Sequence, residues 1–236
     1  MLLRSLAVQG SWNYQTLIGT GMAFVLAPAL RHLYGTDPRR LREAVGRHAE
    51  LFNAHPYLAT VAAGAVVRLE ADGAPPETIA RFKAAVRGSL GSIGDRLVWL
   101  TWRPACALLM VGLLLAGLPW WVAVGAFLVA YNALHLWMRV WGLDAGLRDG
   151  VQVARALREA PFERLGERAA DAGAVLSGFA AVLALGWGGV RGGWAYAVVG
   201  ALALAAGLAL GPRVRWVAAV GLTALLVAGV VLARDS

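Results

Sequence analysis

Four side chains in the first hundred residues combine the chemistry that a hydroxyl-rich ligand needs: Asn53, His55, Glu70 and Asp95. Asn53 both donates and accepts hydrogen bonds, His55 binds or relays a proton, and the carboxylates accept bidentate pairs from vicinal hydroxyls. A sugar or polyol calls for this alternation of donors and acceptors around an apolar face, on which Trp99 and Trp102 could stack. A plainer reading stays open, in which Glu70 and Asp95 neutralise Arg68, Arg96 or Arg103. Upstream, Trp12-Asn13-Tyr14-Gln15 is a polar aromatic patch before an apolar run, which by itself reads as an interfacial anchor. Asn132 and His135, one turn apart, read as an interhelical hydrogen bond rather than a ligand contact. Phosphate-loop, Rossmann, zinc-protease and serine-hydrolase patterns are absent from the sequence. No cofactor is expected, and four histidines without ligand spacing argue against a metal site.

The elements that position these residues must live in a bilayer. Of 236 residues, 59% are aliphatic, aromatic, Met or Cys, and leaving out Tyr while adding the 29 glycines brings the share to about 69%. Soluble domains reach roughly 45–50% on that count and carry about 25% charged residues. Here only 15% are charged, too few to cover the apolar side chains. The net charge of +8 is almost wholly arginine, which at membrane faces favours anionic lipid headgroups and the cytoplasmic side. Nucleic-acid binding is not expected, since the cations form no basic stripe interleaved with aromatics. Cys106 is the only cysteine, which excludes an internal disulfide. Met1 to Val8 has no apolar core with a cleavage site, so no cleavable signal is expected.

Residues Pro104 to Met138 carry no formal charge, too long for one span of about 20 residues. They predict a hairpin of two helices, Leu97 to Gly117 and Pro119 to Met138, turning at Gly117-Leu118-Pro119. Trp120 and Trp121 then mark one interface and Trp137 and Trp141 the other. Ala172 to Val190, Gly192 to Pro212 and Trp216 to Ala233 predict three more spans, the middle one lined by small residues. Between hairpin and spans, residues 139–171 read as a cytoplasmic amphipathic connector. On this reading the uncharged Gly117 turn faces out, Arg213 and Arg215 face in, and the C-terminus faces out.

Residues 1–103 differ in kind. Leu17 to Leu33 is apolar but contains Pro28 and Arg31, which predicts a kinked, tilted or re-entrant piece. Asp37-Pro38 starts a helix whose Leu41, Val45, His48 and Phe52 share a face, with Arg39, Arg42, Arg47 and Glu50 on the other sides. Tyr57 to Leu69 is too short to span and predicts a buried half-helix. A short helix from Thr78 to Arg87 is followed by Gly88, Gly91 and Gly94, which predict a flexible, tightly bending loop. The expected architecture is all-α and polytopic: re-entrant or short helices in the first half, the rest of the hairpin at 104–138, the connector at 139–171, and three spans at 172–233. About five transmembrane helices belong to the second half.

At these residues the sequence resembles a known family, the membrane subunit IID of the mannose/fructose/sorbose class of the bacterial phosphoenolpyruvate-dependent sugar phosphotransferase system. Four blocks carry the resemblance: Gly10-Ser11-Trp12-Asn13-Tyr14 with the segment Gly19 to Tyr34, Arg47 to Tyr57, Gly91 to Trp99 continuing to Arg103-Pro104, and Tyr131-Asn132 to Gly142-Leu143 with Gly146 and Gly150. The resemblance implies a bacterial inner-membrane IID subunit paired with IIC, in a hetero-oligomer of several IIC–IID pairs. It implies passage of a hexose or amino sugar, with phosphoryl transfer on a cytoplasmic IIB protein (IIA–IIB) and no catalytic residue in IID. By position, Asn13, Asn53, His55 and Asp95 inherit the sugar-facing or partner-facing roles. Ser89 and Arg96 depart from the family pattern, and Arg96 is expected to pair with Asp95 or gate the path; the alternative is a non-transporting scaffold or sensor with the same fold.

Overall fold

The computed structural model describes residues 1–187, and these form helices: α1 (Leu2–Ser5), α2 (Gly19–Tyr34), α3 (Pro38–Ala49), α4 (Ala59–Ala71), α5 (Pro76–Gly94), a π-helix (Asp95–Trp102), α6 (Arg103–Leu115), α7 (Trp120–Asp149), a 3-10 turn (Gly150–Gln152), α8 (Val153–Glu159) and α9 (Phe162–Trp187). The spans expected at Gly192 to Pro212 and Trp216 to Ala233 lie outside the described residues. The chain divides into two compact units, one of Met1–Arg96 with Ala133–Pro161, the other of Leu97–Asn132 with the described residues from Phe162.

In the first unit α4 is the centre. Its residues Ala59 to Val66 are all buried, so its thirteen residues are a core helix. Gly64 of α4 meets Gly146 and Leu143 of α7 at backbone distance: a Cβ at Gly146 would overlap Val61 O, and one at Gly142 would crowd Thr60 and Val61. The Gly142-xxx-Gly146 spacing puts both glycines on one face of α7, a device for bringing helix backbones together. α2 packs on α3 and α4, and Gly19 and Gly21 at its start lie against the carbonyls of Glu50 and Val8. α3 begins as expected, with the Asp37 carboxylate accepting from the amides of Arg39 and Arg40 at 3.0 Å and Pro38 at the first position. Phe52 falls beyond the end of α3 and is buried by a backbone bridge to Leu17 rather than by the helix face.

In the second unit α6 packs on α9, with Gly112 against Phe179. The π-helix sits just before Arg103-Pro104. Proline has no amide hydrogen and its ring crowds the carbonyl four residues back, and a locally wider turn relieves both problems. Trp102 donates from Nε1 to the Ala130 carbonyl at 3.2 Å, a bond within this unit.

Two stretches are long and apolar enough to cross a membrane, Pro76–Leu115 and Trp120–Ala184, and only 33% and 17% of their most apolar windows are buried. Exposed apolar surface of that extent is stable facing lipid and not water. Trp120 and Trp121 are exposed at the start of α7, and Trp137 stacks on Trp141 further along it. Several expected boundaries move. Helical residues do not begin at Leu97 but run without a break in the chain from Pro76 through the π-helix into α6. α7 runs eleven residues past Met138, into the stretch read as a connector, because Arg148 pairs with Asp144 one turn back and with Asp149, and these contacts support its charged end. Gly88, Gly91 and Gly94 are helical, in α5, and do not form a loop.

Candidate functional site

α5 meets the segment before α4 at a close contact. A Cβ on Gly94 would overlap Cβ and Cγ of His55, so glycine is required here for close approach and not for bending. His55 itself is buried, at 1% exposure. The Tyr57 amide donates to its Nδ1 at 3.3 Å, and the Tyr57 ring stands edge-on to it, with centroids 4.8 Å apart at 89°. The acceptor role of Nδ1 assigns the ring proton to Nε2.

Asn53 stands two residues before His55 and Asp95 one residue after Gly94, and both are exposed. Neither side chain makes a hydrogen bond among the described residues. The two flank the point where α5 and His55 touch, so an amide, a carboxylate and a neutral imidazole belong to one neighbourhood of the first unit. Asn53 and Asp95 thus lie close in the chain to the two partners of the Gly94–His55 contact.

Glu70 is not with them. Its carboxylate, 1% exposed, lies at the end of α4 and takes a bidentate pair from Arg47, Nε to Oε1 and Nη2 to Oε2, both at 2.8 Å. His48 Nε2 is 2.7 Å from Oε1, and the Tyr34 hydroxyl donates to Oε2 at 2.7 Å. Each oxygen therefore has two partners, and no acceptor site remains for a sugar hydroxyl. The neutralising cation is Arg47, while Arg68 pairs with Asp72. Buried Lys83 of α5 donates to the Arg47 carbonyl at 2.6 Å, so the cluster joins α2, α3, α4 and α5. Burial alone would raise the Glu70 pKa, but the hydrogen bonds from His48, Arg47 and Tyr34 outweigh it and hold the carboxyl well below its usual range.

Asn13 is saturated in the same way. Its Oδ1 accepts from the amides of Gln15 and Thr16, at 3.0 and 2.8 Å, and its Nδ2 donates to the Ser11 carbonyl and Thr16 Oγ1, at 3.2 and 2.8 Å. It shapes the loop that reaches Leu17, whose φ of 54° is held between bridges to Asn13 and Phe52. Trp99 belongs to the second unit, where the Arg103 guanidinium lies 4.9 Å above its ring. Gly88 and Gly91 have open space beside them. Arg96 is exposed, and no salt bridge joins it to Asp95 among the described residues; successive helical residues point apart. The residues that the spacing did not single out are Tyr34, Tyr57, Lys83 and Arg139, and only the four-residue step from His135 to Arg139 was a readable signal.

Burial, followed by the charges of Arg139 and His135, lowers the His55 pKa from 6.5 to about 4. The unfolded chain therefore takes up the His55 proton first as pH falls. Stability from the neutral ring is complete above pH 6.5 and is lost as pH drops towards 4, by at most about 1.4 kcal/mol per pH unit. Melting curves at pH 7.5, 6 and 4.5 should show that decline, and His55→Gln should flatten it; an unchanged slope would mean that His55 is not buried neutral.

Comparisons with known proteins identify the family. Residues 1–182 match the family described as "PTS system mannose/fructose/sorbose family IID component". The chain belongs to the IID family. It is 30% identical over 183 residues to the mannose-specific EIID component of Escherichia coli K12, covering 75% of this chain and 64% of that protein. It is 31% identical over 183 residues to the fructose permease IID component of Bacillus subtilis 168, covering 75% and 66%. The chain thus spans about two thirds of the length of these IID relatives. Among solved structures, it resembles one titled "Structure of membrane protein", with a TM-score of 0.65, 27% identity and coverage of 76% and 67%. It also resembles a chain of the cryo-EM structure of the mannose transporter ManYZ in complex with microcin E492, with a TM-score of 0.59, 30% identity and the same coverage. As an IID protein with long lipid-facing helices, it is a multi-pass protein of the bacterial inner membrane.

Proposed function

We propose that this chain is the non-catalytic IID subunit of a mannose-class permease, forming with a IIC subunit the path of a hexose or amino sugar that a cytoplasmic IIB protein phosphorylates. The observation that carries the reading is the contact of Gly94 with buried His55, with Asn53 and Asp95 exposed nearby in the chain and making no side-chain hydrogen bond among the described residues. Polar groups at membrane depth need partners, and on this reading a facing IIC surface with a sugar between would supply them. The relatives named for mannose and fructose support the substrate class. On the same reading the complex holds several IIC–IID pairs and its arginine-rich faces lie against anionic lipids. About five transmembrane helices follow the first hundred residues, whose short helices enter the bilayer without crossing it.

The test is uptake of labelled hexoses by cells or vesicles holding the chain with its IIC and IIB partners. Asn53→Ala and Asp95→Asn should each raise KM about tenfold, the effect of one or two lost hydrogen bonds to a substrate. Variants that keep the wild-type KM would remove these residues from the path. No uptake by the wild-type assembly, for any hexose or amino sugar, would leave a scaffold or sensor.

A further inference from the structure

Arg139 of α7 is buried, at 3% exposure, yet no carboxylate pairs with it among the described residues. Its guanidinium is held by neutral groups instead. Nη1 donates to the Ser5 carbonyl of α1, Nε donates to His135 Nε2 at 2.7 Å, and the group lies 5.2 Å over the Tyr57 ring. A bond received at Nε2 places the His135 proton on Nδ1 and fixes the plane of its ring. That ring stacks on Tyr57 at 4.0 Å and 18°, and Tyr57 in turn stands edge-on to His55 and donates its amide to His55 Nδ1. Gly94 closes the far side. Each planar group thus sets the orientation of the next, from the arginine to the imidazole between Asn53 and Asp95.

A buried cation held only by neutral groups is hard to explain as a source of stability, because among the described residues no opposite charge pairs with it to offset its desolvation. Its geometry has a clearer use. The rigid guanidinium fork addresses a carbonyl and a ring nitrogen in two fixed directions, which a lysine ammonium on a flexible stem cannot reproduce.

We propose that Arg139 is a positioning residue of the sugar path, orienting His55 through His135 and Tyr57 and fastening α1 to the same site through Ser5. The proposal rests on the transport reading above, and its test separates the two. The assembled IIC–IID complex, labelled with 15N-histidine in lipid nanodiscs, is compared as wild type and Arg139→Lys by histidine 15N shifts, with hexose uptake measured in parallel. The wild type should show His135 protonated on Nδ1 and His55 on Nε2. In Arg139→Lys both rings should turn into tautomer mixtures, and KM should rise about tenfold while Vmax per assembled complex changes less than twofold. Unchanged His55 shifts, or a fall in Vmax that tracks yield with KM unaltered, overturns the proposal. If Arg139→Lys does not assemble, Tyr57→Leu, which removes the relaying ring but keeps the Arg139–His135 bond and the residue-57 amide, should leave His135 protonated on Nδ1, move the His55 15N shifts and raise KM about tenfold; unchanged His55 shifts or an unaltered KM overturn the proposal. A wild-type complex with no saturable uptake whose His55 tautomer still responds to Arg139 would refute the transport reading and leave the orienting chain standing.

Discussion

Alanine at Gly94 should reduce hexose uptake at least tenfold and lower the melting temperature of the complex, while alanine at Gly88 or Gly91 leaves uptake intact. All three glycines lie in α5, so loss of backbone freedom affects them equally. What differs is the space beside each. A Cβ at Gly94 would overlap Cβ and Cγ of His55, atoms next to the backbone that cannot swing aside, and the ring is hemmed in by Tyr57. Overpacking of this kind typically costs about 1–3 kcal/mol, and relief by displacing His55 would move the imidazole out of the neighbourhood of Asn53 and Asp95. Gly88 and Gly91 meet nothing within 4 Å, and alanine in a helix interior gains about 0.5–1 kcal/mol over glycine. Uptake and thermal melts of the three single variants decide the matter. Equal behaviour of all three would return the glycines to the flexible-loop role that their clustering suggests.

That clustering shows where local sequence misleads. Three glycines within seven residues read as a breaker, yet Ile79, Phe82, Val86, Leu90 and Gly94 recur at steps of three and four and bury one continuous face of α5. Burial of that face outweighs a propensity penalty of about 1 kcal/mol per glycine. The apolar stretches of α6 and α7, the Asp37-Pro38 helix start and the turn at Gly117 were legible because each depends on residues a few positions apart. The gathering of Asn53, His55 and Asp95 was visible only as a set of suitable side-chain types, since the Gly94–His55 contact that assembles them joins segments about forty residues apart. Neutralisation of Glu70 by an arginine was a readable alternative, but neither the identity of that arginine nor the filling of both oxygens was visible. Glu70 looked available because its partner Arg47 is 23 residues away, and Asn13 because its loop is shaped by its own four hydrogen bonds. The Gly142-xxx-Gly146 step was readable, but its counterpart Gly64 could be found only from the packing of α4 on α7.

Glu70 gives the sharpest separation between holding the fold and touching the substrate. Glu70→Ala leaves Arg47 half-buried without its bidentate partner, His48 without its acceptor and the Tyr34 hydroxyl unpaired. Breaking a buried, hydrogen-bonded charge pair on one side costs about 3–5 kcal/mol, a large share of the stability of most domains. Glu70→Gln keeps the shape but turns an amide NH2 towards donors, and should cost nearly as much. The pH dependence has the same origin. The folded carboxyl titrates well below its usual range, so its contribution is complete above about pH 4.3 and fades as acid protonates the folded group. Both substitutions should therefore lower the melting temperature at pH 7 and have a smaller effect at pH 3. Since four donors already fill both oxygens, whatever assembled transporter survives should bind its sugar with an unchanged KM, even as the amount of active complex falls. A Glu70→Gln complex that melts like the wild type but needs far more sugar to saturate would mean that this carboxylate is exchanged between Arg47 and the substrate during transport, and that the clamp seen here is only one of its two states.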